Sequence, residues 1–180
     1  MSGHNKWSQI KNQKGAADKK RGQLFSKLLK AISIAAKTEA NPQFNPRLRS
    51  VMEKAKEFNV PQDNIERAVS KASETKNLED ITVEAYGPEG AALIIEGITD
   101  NTNRAISEIK HILTENGAKI ANPGSVLWSF EKADDEPGRS GWKAKFPQEI
   151  SEDGRKKIAE LIDALEEHGD VQNVITNTKN

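Results

Sequence analysis

The sequence ITVEAYGPEGAALIIEGI at residues 81–98 decides the fold of the second half of the chain. Its first apolar residues, Ile81, Val83 and Ala85, alternate with polar ones, as expected of a strand with one buried face. The glycine- and proline-containing segment Gly87–Gly90 predicts a turn, and the aliphatic run Ala91–Ile98 predicts a second strand. The stretch therefore predicts two strands joined by a short turn.

Helix and strand patterns alternate through the rest of this half. Asparagine suits the N-cap of the first helix and Gly117 suits its carboxyl end. We predict a helix from Asn101 or Asn103 to Glu115, a strand at Val126–Glu131, a polar linker at 132–147, a helix at Glu152–His168 and a closing strand at Val171–Thr176. This order implies an α+β fold, in which residues 77–180 form a sandwich with helices covering one face of a mixed sheet.

The first half has helical periodicity instead. Apolar residues between Leu24 and Lys37 recur every three or four positions, which is typical of an amphipathic helix. Asn45 followed by Pro46 suits an N-cap and the first helical position, and a third helix opens at Gln62 or Asp63. We predict a three-helix domain at residues 1–76 that begins with a basic arm, mobile or loosely helical, at Ser2–Gln23.

Charge is distributed unevenly along a chain whose formal net charge is zero. Residues 1–80 carry 16 Lys and Arg against 9 Asp and Glu, whereas residues 81–180 carry 11 against 18. Within residues 1–37 the balance is nine to one, with Asp18 as the single acid. Such asymmetry is typical of a polyanion-binding arm joined to an acidic body. The alternative is an ordinary charged helical surface.

Composition excludes some classes of protein. The chain has no cysteine, which excludes disulfides and zinc–cysteine sites. Its longest aliphatic run, Ala91–Ile95, is far shorter than the ~20 residues of a membrane-spanning helix, and its first residues lack the apolar stretch of a secretory signal. We therefore expect a cytoplasmic location, with a mature organellar protein as the alternative, and no membrane partner.

A search for catalytic and metal-binding patterns finds no nucleophile elbow, zinc-protease helix or phosphate-binding loop. The carboxylates Glu96 and Glu108 could pair with Asp100 in the fold, but paired surface acids are common and unspecific. The three histidines, His4, His111 and His168, are too far apart in sequence to suggest a metal site. We predict a protein without catalytic residues, cofactor or metal.

The basic arm and the first helix supply the candidate binding residues. Cationic side chains bind phosphates largely through counterion release, and an indole can stack on an unpaired base, which contributes about 1–3 kcal/mol. The alternative for Trp7 is that it anchors the arm against the helical domain. The candidate nucleic-acid-binding residues are His4, Lys6, Trp7, Lys11, Lys14, Lys19, Lys20, Arg21, Lys27 and Lys30.

The second and third helices have a spacing that permits a DNA-reading helix-turn-helix. The third helix, however, carries Glu66 and Glu74 beside Arg67 and Lys71. A helix that reads the major groove is usually more basic, so this alternative is the weaker one.

A series of short motifs extends almost from one end of the chain to the other. The motifs are GHNKW at 3–7, DKKRG at 18–22, NPRLR at 45–49, VPQDNIERA at 60–68, YGP at 86–88, TDNTNR at 99–104 and DVQNV at 170–174. In content and order they resemble the motifs of the YebC/PmpR family.

Two departures from the family pattern stand out. Members of the family carry an inserted α/β domain between the third strand and the final helix, where this chain has only the segment 133–145. The family's Lys-His-Arg-Lys is Lys-Asn-Gln-Lys at residues 11–14. Functions that belong to the inserted domain are therefore not expected here.

The resemblance implies a regulator of gene expression and leaves two kinds of target. Members labelled as transcriptional regulators bind promoter DNA. The family also includes the mitochondrial translational activator of cytochrome c oxidase subunit I, which points to the ribosome and to help with difficult elongation. A basic arm with one stackable indole suits irregular RNA better than a regular groove. We therefore favour ribosomal RNA as partner, with promoter DNA as the alternative.

Overall fold

The computed structural model describes residues 17–74, 77–133 and 141–179 of the 180-residue chain. Its helices are α1 (Ala17–Thr38), α2 (Pro46–Glu57), α3 (Gln62–Ser70), α4 (Thr102–Glu115) and α5 (Glu152–Glu167). Its strands are β1 (Glu79–Tyr86), β2 (Ala92–Thr99), β3 (Lys119–Ile120), β4 (Phe130–Lys132), β5 (Trp142–Ala144) and β6 (Val171–Thr176). In this part of the chain, no helix combines the length and apolarity needed to cross a membrane.

Helix α1 begins at Ala17, well before the predicted start at Leu24. Residues 17–23 are therefore regular helix, and the prediction of a mobile or loosely helical arm is wrong for them. Apolar periodicity could not reveal these first turns, because their lysines and arginine are good helix formers but add no apolar positions to the pattern. Further along, Leu28 and Ile32 of α1 pack on Leu48 of α2 and on Ile65 of α3 in one buried cluster.

One asparagine joins the end of α1 to the start of α2. The side-chain oxygen of Asn45 accepts from the Leu48 N–H at 2.9 Å, which makes it the predicted N-cap. Its amide nitrogen donates to the carbonyls of Ala35 at 2.8 Å and Glu39 at 2.7 Å. Asn45 thus satisfies backbone groups at both helix ends, and its burial leaves none of its polar atoms unpaired.

The second unit is built on a four-stranded sheet in the order β3-β1-β2-β6. All three strand pairings are antiparallel, and a parallel pairing occurs only as an isolated bridge between Gln148 and Thr178 among the described residues. The sequence predicted a mixed sheet, but the four described strands form an antiparallel one. The physical reason is that the parallel strands are not neighbours. Strand β3 runs parallel to β2 but lies on the far side of β1, and β6 runs parallel to β1 but lies on the far side of β2.

Both faces of this sheet are covered. Helices α4 and α5 pack on one face, where Ile109 and Leu161 contact Val83 and Ile95 in the largest buried cluster. The β4–β5 hairpin covers part of the opposite face, in a smaller cluster that includes Ile94. The predicted α+β class, with its helices on one sheet face, is confirmed.

The strand predicted at Val126–Glu131 is only partly correct. Leu127–Ser129 is a turn of 3-10 helix, and the strand proper is Phe130–Lys132. Its partner Trp142–Ala144 lies in the stretch interpreted as a polar linker. The short edge strand Lys119–Ile120 was also missed, since two residues carry too little periodicity to be recognised.

A buried carboxylate explains why the chain turns before β4. Glu84 of β1 accepts from the backbone N–H groups of Gly124 at 2.5 Å, Val126 at 2.6 Å and Leu127 at 2.8 Å. Burial acts to raise the pKa of Glu84, but these three hydrogen bonds outweigh it and the pKa is lowered. The charged carboxylate therefore stabilises a turn at the beginning of the segment for which the sequence predicted a strand.

We expect Glu84→Gln to lower the free energy of unfolding by about 1–3 kcal/mol, because one carboxylate oxygen becomes an amide group that cannot accept. Urea denaturation at pH 7 measures this change. The exposed Glu131→Gln is the matched control and should cost almost nothing. Equal midpoints for the two variants would contradict the role assigned to Glu84.

Candidate nucleic-acid interface

The predicted binding residues fall into three groups. His4, Lys6, Trp7, Lys11 and Lys14 lie outside the described residues. A second group occupies the first turns of α1, where two cations are exposed and one is half-buried. These residues are Lys19, Arg21 and the half-buried Lys20. The third group consists of two lysines that the structure places in contact with the second unit, namely Lys27 and Lys30.

The start of α1 presents its positive charge to solvent. The guanidinium of Arg21 is 3.9 Å from Asp18, and both side chains are more than half exposed. Such an exposed pair contributes little and leaves the groups able to exchange partners. Because Asp18 is also the single acid of residues 1–37, this end of the helix keeps a positive surplus.

Lys27 is not part of a solvent-facing surface, which does not fit its predicted role as a nucleic-acid contact. Its side chain is 3% exposed, and its ammonium donates to the carbonyl oxygen of Glu166 at 2.5 Å. Burial lowers the pKa of Lys27 to about 8, with the charge of Glu166 acting against this and that of Lys30 adding to it. At neutral pH the ammonium still holds its proton and faces the carboxyl end of α5.

Lys30 is engaged in the same region, although its side chain is partly exposed and its predicted nucleic-acid contact stays a prediction. Its ammonium lies 2.5 Å from Oδ1 of Asp170 and donates to the Gly169 carbonyl at 3.2 Å. Lys27 and Lys30 are one helical turn apart, and both meet carbonyl groups just at or beyond the end of α5. The negative end of a helix dipole favours cations in this position. The two lysines thus act as an anchor for α1.

Asp170 is the centre of the junction between the two units. Its side chain is 4% exposed. Oδ2 accepts from the Thr99 hydroxyl at 3.0 Å and from Arg104 at 2.9 Å, while Oδ1 is bonded to Lys30. Burial acts to raise the pKa of Asp170, but the Lys30 bond and charge, the Thr99 hydroxyl and the Arg104 charge outweigh it, and the pKa is lowered.

A second anchor lies at the other end of the contact. Arg47 of α2 forms a two-pronged ion pair with Asp80 at the start of β1, at 2.6 and 2.9 Å. Lys37 donates to the Leu78 carbonyl at 3.2 Å, and Gln172 donates to the Lys27 carbonyl at 3.4 Å. The helical domain is therefore held by polar contacts from the start of β1 to the start of β6.

A cleft of about 470 Å³ remains between the two units. Leu24 and Lys54 line its helical side, and Glu96, Gly141 and Asn173 line the opposite side. Burial lowers the pKa of Lys54, with Glu57 acting against this shift. The Glu96 carboxylate accepts from Trp142 at 2.9 Å and from Asn173 at 3.2 Å. Its walls carry both signs of charge, so the cleft by itself selects no class of ligand.

The acids considered for catalysis have other partners. Glu96 is bonded as above, Asp100 pairs with Arg104 at 2.8 Å, and Glu108 meets the His168 imidazole at 2.7 Å. Nδ1 of that imidazole accepts from the Asp170 N–H at 3.2 Å. These bonds hold the carboxylates in the structure of the protein rather than aiming them together at a substrate.

Glu108, His168 and Asp170 bring three potential metal-ligand atoms together, a grouping that the sequence did not suggest. Their donor atoms are already used, since Asp170 binds two cationic side chains and a hydroxyl. A metal ion would have to displace Lys30 and Arg104 against their charge. The arrangement therefore fits an ion-pair network better than a metal centre.

Helix α3 offers little to a DNA groove. Its exposed side chains include Asp63, Glu66 and Arg67, and Gln62 donates to Glu66 at 2.8 Å. Two acids beside one arginine leave this face without the positive charge that a phosphate-lined groove attracts. The structure thus weakens the helix-turn-helix alternative that the spacing permitted.

Family comparisons agree with the domain pattern. Residues 5–75 match the TACO1/YebC protein N-terminal domain, and residues 78–134 match the TACO1/YebC second and third domain. The chain belongs to the TACO1/YebC family. The resemblance expected from the sequence motifs is confirmed, and the second match ends at residue 134, beside the β4–β5 hairpin.

Relatives extend beyond this chain. It is 52% identical over 136 residues to a probable transcriptional regulatory protein of Desulfosudis oleivorans, covering 73% of the chain and 55% of the relative. A protein of the same name from Desulfatibacillum aliphaticivorans is 45% identical over 182 residues, covering 98% and 71%. The chain thus spans little more than half the length of several members of its family.

A solved structure shows the same fold. The crystal structure of the conserved hypothetical protein Aq1575 from Aquifex aeolicus superposes with a TM-score of 0.79 at 31% identity. The match covers 88% of this chain and 90% of the other. This agreement confirms the fold class of the chain.

We expect Asp170→Asn to lower the free energy of unfolding at pH 7 by about 2–3 kcal/mol, because it leaves Lys30 and Arg104 around a neutral group. Asp100→Asn is the control, since it removes an exposed partner of the same arginine and should cost at most about 1 kcal/mol. Urea denaturation compares the two variants.

The pH dependence of stability provides a second test of the Asp170→Asn variant. The pKa of Asp170 is lowered on folding, so its contribution is present above the unfolded carboxyl value of about 4 and is lost as the pH falls through the folded value. The stability difference between wild type and Asp170→Asn should therefore shrink on acidification. A difference that stays constant down to about pH 2 would show that the Asp170 charge is not responsible.

Proposed function

We propose that this chain is a non-enzymatic, nucleic-acid-binding regulator of gene expression that acts on RNA of the ribosome. The observation that carries the proposal is the division of charge along α1. Lys27 and Lys30 fasten the middle of the helix to the second unit, while Lys19, Lys20 and Arg21 continue the basic segment at its start. Nine cations against one acid in residues 1–37 favour a polyanion as the partner.

The attachment of α1 to the second unit supports this proposal, because it fixes the position of the helix. A basic segment attached to a fixed helix is presented from a defined place on the protein, which lowers the entropic cost of binding. The second unit is acidic in net charge, with 18 acids against 11 cations in residues 81–180, and so attracts phosphate less than the helical unit does. Phosphates are therefore directed toward the helical unit.

Relatives named as transcriptional regulatory proteins support a role in gene expression. They also favour the second candidate, a DNA-binding transcriptional regulator. We prefer RNA because α3 exposes two acids where a groove-reading helix needs cations, and because the basic segment includes an indole suited to unpaired bases. In this proposal the protein activates translation by easing difficult elongation, without a cofactor or a chemical step of its own.

We expect replacement of Lys19, Lys20 and Arg21 by Ala to reduce the slope of log affinity against log salt by about 2 for single-stranded RNA, since each phosphate that is no longer neutralised lowers the slope by about 0.7. The measurement is a salt series of RNA titrations. The matched control removes three exposed cations from α4 and α5, namely Lys110, Arg155 and Lys156. If the control reduces the slope as much, net charge rather than this surface determines binding.

Trp7 separates the two targets. If it stacks on an unpaired base, Trp7→Ala should weaken binding to structured ribosomal RNA by about 1–3 kcal/mol, Trp7→Phe should retain part of the affinity, and promoter duplex should be little affected. Titrations against ribosomes, a ribosomal RNA fragment and promoter duplex, with melting curves, make the comparison. Tight duplex binding that ignores Trp7, without ribosome association, would favour the transcriptional alternative. An equal loss for every nucleic acid with a lower Tm would instead show that the indole anchors the arm.

A further inference from the structure

Two aromatic rings lie exposed together beside the β4–β5 hairpin. Trp128 is 64% exposed and Phe146 is 59% exposed, and their ring centroids are 5.7 Å apart at an interplanar angle of 45°. Phe44 is the third large exposed hydrophobic residue among those described, and it lies in the loop between α1 and α2. An exposed aromatic pair on a small protein marks a candidate binding surface.

The protein itself fixes the orientation of the indole. Nε1 of Trp128 donates to the Ser125 carbonyl at 2.8 Å, and the same carbonyl accepts from the Tyr86 hydroxyl at 3.1 Å. The turn that carries Ser125 is held by the Glu84 carboxylate. With its polar edge satisfied within the protein, Trp128 has its ring surface left for a ligand, and little side-chain freedom remains to be lost on binding.

Two exposed lysines, Lys143 and Lys145, precede Phe146 in the same segment. Lys143 lies on β5, and Lys145 immediately precedes Phe146. The backbone N–H of Lys145 donates to the carbonyl of Ser129, the residue after Trp128, at 2.9 Å. Two acids are near: Glu131 is opposite Lys143 in the hairpin. The other, Glu149, is paired with Lys179 at 2.9 Å. In the part of the chain that the structure describes, Lys145 has no acidic partner.

The hairpin and the basic start of α1 border the same cleft. Leu24, one helical turn after Arg21, lines its helical side, and Gly141, which precedes β5, lines its other side. The cleft therefore lies between the start of α1 and the Gly141 end of the hairpin.

We propose that Trp128 and Phe146 form a stacking surface for an unpaired base of single-stranded nucleic acid, with Lys143 and Lys145 contacting the flanking phosphates. The inference rests on the proposed function and adds a second contact to it. Aromatic rings beside cations are the arrangement by which proteins bind single strands. Protein interfaces are depleted of lysine, so the lysines favour a nucleic acid over a protein partner.

The test titrates wild type and single variants with a labelled, unstructured RNA of about 16 nucleotides and with a duplex of the same sequence. Trp128→Ala should weaken single-strand binding by about 5- to 100-fold, Phe146→Ala should weaken it to a smaller extent, and duplex binding should not change. Phe44→Ala is the matched control, because it removes an exposed ring from the helical unit. Joint replacement of Lys143 and Lys145 by Ala should reduce the salt slope by about 1.4.

Folding is checked by melting curves, and Trp128→Phe provides a milder variant that keeps an aromatic ring and should retain part of the affinity. Unchanged single-strand affinity in Trp128→Ala, when replacing Lys19, Lys20 and Arg21 still weakens binding, would overturn this inference and leave the proposed function intact. If the wild type binds neither the single-stranded RNA nor the duplex, both this inference and the proposed function are overturned. A wild-type dimer that Trp128→Ala turns into a monomer, with RNA affinity unchanged, would assign the pair to self-association instead.

Discussion

The buried carboxylate of Asp170 is the interaction on which the rest of the structure depends. It lies between α5 and β6 and is bonded to side chains from α1, β2 and α4. The backbone carbonyl oxygen of Asp170 also accepts from the Ile98 N–H at 2.8 Å. A Cβ added at position 97 would lie 2.7 Å from the same oxygen. Gly97 is therefore required by this close approach of two backbones. One residue thus joins the sheet, its helices and the helical domain.

Burial of that charge is favourable only because its partners are complete. A carboxylate removed from water loses much hydration energy, and a missing cation would leave it uncompensated. Lys30 supplies one positive charge from the helical unit and Arg104 supplies another from α4. The relative position of the two units is consequently tied to a satisfied ion-pair network, and not only to apolar contact, which is less directional.

The same network decides how α1 uses its cations. Lysines in the middle of the helix meet the carboxyl end of α5, and those at its start remain in water. A uniform basic stripe in the sequence thus becomes, in the structure, an anchor in the middle of the helix and a group of cations at its start. The Glu84 carboxylate has a comparable role in the hairpin region, where it converts a predicted strand into the turn that orients Trp128.

The sequence by itself determined the α+β class, most of the element boundaries and the family, because periodicity, capping residues and ordered motifs are local signals. Asn45 as an N-cap and Val171–Thr176 as a strand are examples. Only the tertiary structure decided which lysines face solvent, since Lys27 and Lys30 have the same local pattern as other basic residues. Their partners at Glu166 and Asp170 are about 140 residues away in the chain. Contacts at that separation depend on how the units pack, which no local pattern of residues encodes.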